Sequence, residues 1–438
     1  MGSGIRATWS SALGARLRAG ITLNLTATVF NQGSTFAVNL VLANLLGRER
    51  FGEYTMVLGT VATLGTLGQL SMGYTATKYL AEFRTSDPER ASRILSLCAI
   101  TAAIAAALAA LCLAVPAAAI AARTLDAPHL TSALRLSAAA VFFMVLNGFL
   151  TGTLAGLESY RAIARAGLVS GTLYFVCCVL FAWHGGLEGA VAGIALAAAA
   201  QCVILAVLVK QETARHEIRL TARELGRERA VVSRFAVPAS ANGFLSLPAI
   251  WGATALLAAQ PEGYHQVALF GAANSFRTMV LFLPQTINTV GMSVINNESR
   301  SGAGSRRVFW LNAALTAATA LGVAALIVAA APWLLAMFGP EFVEGRLALT
   351  ILLGAALIEA AAIATYQIVI ARGWMWHSFL MVSLPRAAAL VLLAALLTPL
   401  WGAAGLATAY VVAWSLALAG ILVLVGRAEP APPTVTTP

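Results

Sequence analysis

Arg277 stands inside the long apolar stretch 267–292, together with Asn274, Gln285 and Asn288. At about 100° per residue these four side chains share one face of a helix. A guanidinium at such depth costs several kcal/mol unless it is paired or hydrated. No carboxylate lies one turn away on the same segment. Arg277 must therefore meet water, an acid from elsewhere or an anionic ligand. Its planar fork suits a pair of phosphate oxygens. The internal partner available to it is Glu359, in the stretch 347–371. Ligand contact and structural pairing both remain open for Arg277. Arg386, which follows Pro385 at a point where a helix is expected to break, is a second intramembrane cation and is expected to be paired. Glu359 and Arg386 are candidates for an ion pair or for coupling, since a lone intramembrane acid can also carry protons.

A second polar stripe runs through the stretch 21–46, where Asn24, Thr28, Asn31, Thr35 and Asn39 fall within an arc of roughly 80°. Amides cannot face lipid without losing their hydrogen bonds, so this face is expected to line an interior or a water-filled cavity. Interhelical bonding is the plainer alternative. Lys78 and Glu82, after the second stretch, read as interfacial anchors.

Other chemistries find no support in the residues. There is no GxxxxGK[ST] phosphate loop and no HExxH pair. The five cysteines all lie within apolar runs, without metal spacing, and read as small buried residues. Glu341 and Glu344, in a short loop, read as solvated charges. No enzyme activity, cofactor or metal is expected.

The elements that carry these groups are set by hydropathy. Of 438 residues, 59% are hydrophobic and 11% charged. The apolar runs read as twelve spans, near 21–46, 54–77, 94–121, 132–156, 167–184, 188–209, 235–259, 267–292, 308–331, 347–371, 378–398 and 403–425. A dozen runs of about 20 apolar residues fit only a polytopic, all-α membrane protein. The net charge of +10 follows from Arg and Lys gathered in alternate loops rather than from nucleic-acid binding. That asymmetry places both termini on the cytoplasmic side.

The longest loop, 210–234, carries Arg215, Arg219, Arg223 and Arg227 at four-residue spacing, a register that would stack them on one helical face. It is expected to link two bundles along the interface, or to hold anionic head groups. The halves repeat: Gly189–Gly193 echoes Gly402–Gly405, and Phe51–Tyr54 echoes Leu269–Ala272. An even number of spans per half makes the repeat parallel. The expected organisation is a cytoplasmic segment 1–20, a six-helix bundle 21–209, a basic linker 210–234, a second six-helix bundle 235–425 and a tail 426–438, with the bundles around a central cavity. Glycines at four-residue intervals (Gly148, Gly152 and Gly156; Gly167 and Gly171; Gly185, Gly189 and Gly193) predict close helix packing.

The chain resembles the O-antigen and exopolysaccharide flippase branch of the multidrug/oligosaccharidyl-lipid/polysaccharide exporter superfamily. The residues that carry the likeness are Leu45–Tyr54, Gly73 with Lys78–Glu82, Leu269–Asn274 leading to Phe282–Pro284, Phe338–Phe342 and Trp401–Ala407. The resemblance implies two bundles with spans 1, 2, 7 and 8 lining a cleft. It also implies alternating-access transfer of an undecaprenyl-diphosphate-linked oligosaccharide from the inner to the outer leaflet of a bacterial inner membrane. By this likeness Asn31, Asn274 and Arg277 lead the candidate substrate-binding residues, followed by Asn24, Asn242, Gln285 and Asn288. The implied partners are the lipid-linked oligosaccharide, membrane lipids and proteins of polysaccharide synthesis and polymerisation. A drug exporter of the same fold and a non-transporting scaffold are the alternatives. Span 1 lacks the acid common in drug exporters, which weakens the first of them.

Overall fold

A computed structural model describes residues 12–221, 225–228, 237–298, 305–371 and 374–426. Among these residues every extended element is a helix. The long ones are α1 (Ala12–Gly68), α2 (Met72–Phe83), α3 (Pro88–Ala114), α4 (Thr131–Gly156), α5 (Tyr160–Arg215), α6 (Val237–Ala258), α7 (Gly263–Glu298), α8 (Ser305–Ala329), α9 (Arg346–Ala371) and α10 (Leu384–Gly426). Among the described residues, five helical stretches are long and apolar enough to cross a membrane: 88–114, 128–156, 160–215, 340–369 and 376–426.

α1, α5 and α10 contain 57, 56 and 43 residues. At 1.5 Å per residue each exceeds the roughly 30 Å of a hydrocarbon core. Each is interrupted by one glycine outside helical geometry: Gly47, Gly186 and Gly402. The last two adopt nearly the same conformation, φ 57°, ψ −134° and φ 52°, ψ −128°. That region is open to glycine and closed to residues bearing a Cβ. Three residues after each, Gly189 and Gly405 sit where a Cβ would strike the carbonyl of Phe181 or Leu397 on the preceding limb. The repeat is thus visible in the backbone, but its register differs from the sequence expectation. Gly186 and Gly189 match Gly402 and Gly405, so Gly189 does not pair with Gly402.

The chain divides into two compact units, Met1–Leu247 and Pro248–Pro438, and the division falls within α6. In the first unit α1 packs on α5, and α4 packs on α2, α3 and α5. The expected close packing of small residues is present. A Cβ on Gly152 would collide with the backbone of Gly73, and one on Gly156 with Ala76 and Leu80. α3 starts at Asp87, whose side chain accepts from the Arg90 backbone N–H at 2.9 Å. Pro88 occupies the first turn, where a missing N–H costs nothing. The helix ends at Ala114, short of the expected 121, because Pro116 cannot continue its hydrogen-bond ladder.

Two further expectations change. The stretch 54–77 is not one helix: Leu70 and Ser71 take positive φ, 43° and 54°, and separate α1 from α2. The described linker residues also do not carry a continuous arginine face. α5 ends at Arg215, Glu217 turns the chain at φ 57°, and residues 218–221 run without helix. Ser92 and Ser96 of α3 accept the backbone N–H groups of Arg219 and Thr221, at 3.1 and 2.8 Å. Those bonds are possible only because the segment leaves the helix. Glu228 then pairs with Arg90 and Arg93 of α3. Arg223 lies outside the described residues.

In the second unit α7, α9 and α10 form the centre. Gln266 of α7 accepts from the N–H of Ala403 at 3.0 Å, and so caps the limb of α10 that begins after Gly402. Ahead of α10, residues Phe379–Ser383 form a π turn. That turn accommodates Pro385, which has no N–H to offer. The expected break before Arg386 is therefore a local widening of the helix.

Candidate functional site

Polar groups inside the second unit converge on Arg277. The residue sits on α7 among buried neighbours, Ala273, Phe276 and Val280. Its Nη1 donates to Asn274 Oδ1 at 3.0 Å, one turn earlier on the same helix. Its Nη2 donates to Glu359 Oε2 on α9. The guanidinium carbon lies 5.3 Å from the centre of the Tyr410 ring on α10. The side chains of Arg277 and Glu359 are 13% and 9% exposed. Ala355, Ala356, Ala360 and Ala362 flank the acid on its helix and are buried. Alanines leave the room that a helix–helix ion pair requires.

A second cation acts on the same carboxylate. Arg386 contributes to the electrostatic field at Glu359. Its guanidinium stacks over Trp414 at 4.4 Å, linking the two limbs of α10 on either side of Gly402. Arg277 thus pairs directly with Glu359, and Arg386 bears on the same carboxylate through its charge. Arg277 Nε, buried, has no hydrogen-bond partner among the described residues. Arg277 keeps an unused donor beside a second guanidinium, an arrangement suited to anionic oxygen.

Of the sequence candidates, Asn274, Arg277, Glu359 and Arg386 come together here. Gln285 lies on the exposed surface of α7. The side chains of Asn24, Asn242 and Asn288 lie outside the described residues. Asn31 belongs to the first unit, where its amide rests on α5. A Cβ on Gly167 or Gly171 would meet its Nδ2 at 3.0 Å or its Oδ1 at 2.6 Å. The Asn31 carbonyl accepts from Thr35 Oγ1 at 3.0 Å. Its glycine bed is the close-packing stripe expected from the sequence, here serving a polar side chain.

The first unit also holds a cavity of about 750 Å³ that the sequence reading did not single out. Gln69, Asn147, Thr151, Ser170, Tyr174 and Gln201 contribute polar groups to its wall. Asn147 Nδ2 donates to the Ala198 carbonyl at 3.0 Å and to Gln201 Oε1 at 3.4 Å. The signal available beforehand was the amides themselves. Asn147 and Gln201 stand in the middle of apolar runs, where any amide needs an explanation. Each is the single amide of its apolar run and forms no stripe.

Comparison with known proteins agrees with this architecture. A family model described as "Polysaccharide biosynthesis protein" matches residues 17–295. The chain is 25% identical over 378 residues to the "EPS I polysaccharide export inner membrane protein EpsE" of Ralstonia nicotianae (strain ATCC BAA-1114 / GMI1000), with 82% of each chain covered. It is 24% identical to the protein of the same description from Ralstonia solanacearum. Among solved structures, the inward-facing conformation of a multidrug resistance MATE family transporter of the MOP superfamily matches with TM-score 0.72 at 15% identity, over 93% of this chain and 100% of that one. The lipid II flippase MurJ, in an inward closed conformation, matches with TM-score 0.73 at 12% identity, over 93% and 88%. At these identities the structural likeness speaks to fold.

Proposed function

The chain belongs to the polysaccharide biosynthesis protein family, and from that premise we propose that it is a membrane transporter of polysaccharide export. In this reading it flips an undecaprenyl-diphosphate-linked oligosaccharide from the inner to the outer leaflet by alternating access. The chain crosses a bacterial inner membrane twelve times, with both termini cytoplasmic. The relatives described as export proteins of the inner membrane support the class of cargo and the compartment.

The observation that carries the proposal is the Arg277 cluster. Arg277 pairs with Glu359 within an apolar bundle, Arg386 bears on the same carboxylate through its charge, and Arg277 Nε–H is unsatisfied among the described residues. Such a site gains from an added anion, because a buried unsatisfied donor is costly and a diphosphate offers several acceptor oxygens. Asn274 holds the guanidinium in place through Nη1. Glu359 neutralises it while no phosphate is near and is the group an arriving phosphate would displace. Asn31, Asn24, Asn242, Gln285 and Asn288 remain candidate contacts for the rest of the substrate.

The test is a chromosomal Arg277→Ala variant beside a deletion of the gene. Both should accumulate the lipid-linked glycan on the cytoplasmic leaflet, while Arg277→Lys restores only part of the transport because an ammonium lacks the bidentate fork. A scaffold would tolerate Arg277→Ala at normal protein level. Normal export by a stably expressed Arg277→Ala protein would therefore refute the proposal.

A further inference from the structure

The cavity of the first unit has the properties of a ligand site in its own right. We propose that it binds a neutral, hydroxyl-rich group, a sugar ring of the transported glycan. The inference rests on reading the chain as a glycan transporter and adds where the uncharged part of the cargo is held.

Its volume, about 750 Å³, lies within the range of small-molecule pockets, about 300–1,000 Å³. It is far larger than the ligand shell of a single metal ion. None of the residues lining it is Asp, Glu, Lys, Arg or His. A phosphate would find no cation there, and an ammonium no carboxylate. A purely apolar ligand is equally unsuited, because two wall groups already lack partners. Among the described residues, Ser170 Oγ and Asn147 Oδ1 are buried atoms without a hydrogen bond, on residues only 7% and 8% exposed. Each unsatisfied atom costs about 1–3 kcal/mol, which a hydroxyl ligand would relieve. Sugar hydroxyls both donate and accept, so they fit an acceptor such as Asn147 Oδ1 and a donor such as Tyr174 OH. Met144 and Ile194 offer apolar surface to the C–H faces of a ring.

The backbone points to the same place. The break between α1 and α2 lines this cavity through Leu67, Gln69, Ser71 and Gly73. Leu70 and Ser71 hold left-handed geometry that costs about 1–3 kcal/mol per residue and persists only where packing enforces it. The enforcement is visible: a Cβ on Gly68 would strike Val145 and Ala109, and one on Gly73 would strike the Gly148 carbonyl at 2.6 Å. An irregular backbone within an apolar bundle is tolerated where it borders a cavity, and broken helices of transporters border substrate.

The experiment uses the full-length protein in nanodiscs and two probes: undecaprenyl diphosphate bearing a neutral trisaccharide, and bare undecaprenyl diphosphate. Ser170→Ala removes a hydroxyl that has no partner, so the free protein should be unchanged or slightly more heat-resistant. Affinity for the glycosylated probe should fall about 2- to 10-fold, the worth of one hydrogen bond, with the bare probe unaffected. Ser170→Leu, which fills the cavity, should abolish the preference of the wild type for the glycosylated probe. If both variants keep the wild-type preference, or if the wild type shows none, the cavity is not a sugar site and the flippase reading stands. If the wild type binds neither probe, the flippase reading fails and this inference with it. A fall for both probes alike would also overturn the cavity assignment, since it would reflect folding or the diphosphate site.

Discussion

Replacing Glu359 with Gln keeps the shape of the side chain and removes the charge shared by Arg277 and Arg386. The consequence can be worked from the geometry. Both members of the pair are nearly sealed, so solvent screens little of the loss. Breaking a buried pair while leaving its partner charged costs about 3–5 kcal/mol. The glutamine carbonyl can still accept from Arg277 Nη2, which recovers about 1 kcal/mol. A net destabilisation of about 2–4 kcal/mol is expected. Replacing the pair together, with Arg277→Met and Glu359→Leu, leaves only Arg386 without the carboxylate, whereas Glu359→Gln leaves both cations, so the double variant should cost less than Glu359→Gln alone. Heat inactivation of large membrane proteins is commonly irreversible, so the measure is the unfolding rate in one fixed lipid at one temperature. The expected order of rates is wild type slowest, the double variant next and Glu359→Gln fastest. A Glu359→Gln protein as durable as wild type, or a double variant whose loss equals the sum of the two singles, would refute the claim that this carboxylate compensates buried cations.

Three other outcomes follow from the packing. Gly152→Ala forces a methyl into the Gly73 backbone and should lower stability by about 1–3 kcal/mol, read as reduced yield of folded protein, while Gly354→Ala meets nothing within 4 Å and should be tolerated. Gly189→Ala and Gly405→Ala should both be damaging, because each methyl strikes a carbonyl of the neighbouring limb; tolerance of one but not the other would contradict the structural equivalence of the two kinks. Glu228→Ala leaves Arg90 and Arg93 without their shared acid and should speed tryptic cleavage at Arg219, measured by limited proteolysis of the folded protein.

Legibility differed between the two units for a physical reason. Arg277 was conspicuous because a charge in an apolar helix is costly enough to be rare. Glu359 was nameable as its partner because acids are equally rare in the apolar stretches. The Asn31 stripe was also visible, but its bed on Gly167 and Gly171 was not, since a stripe records a direction and not what lies opposite. The cavity of the first unit was hidden for the converse reason. Asn147 and Gln201 come from α4 and α5, and they become one polar wall only when those helices pack.

Hydropathy alone dictated a helical membrane protein, because lipid leaves the backbone no partner but itself and each apolar run must close its own hydrogen bonds. Charge in the loops, glycine spacing and the repeat were likewise written in residue order, being local or periodic properties. Tertiary packing decided the rest. It placed the break at Leu70 and Ser71, where small residues on α4 let the chain press close, and drew the linker out of helix to satisfy its N–H groups on Ser92 and Ser96. It also paired Arg277 of α7 with Glu359 of α9 and brought the charge of Arg386, on α10, to bear on the same acid. Each of these depends on which surfaces meet, and that is a property of the folded bundle.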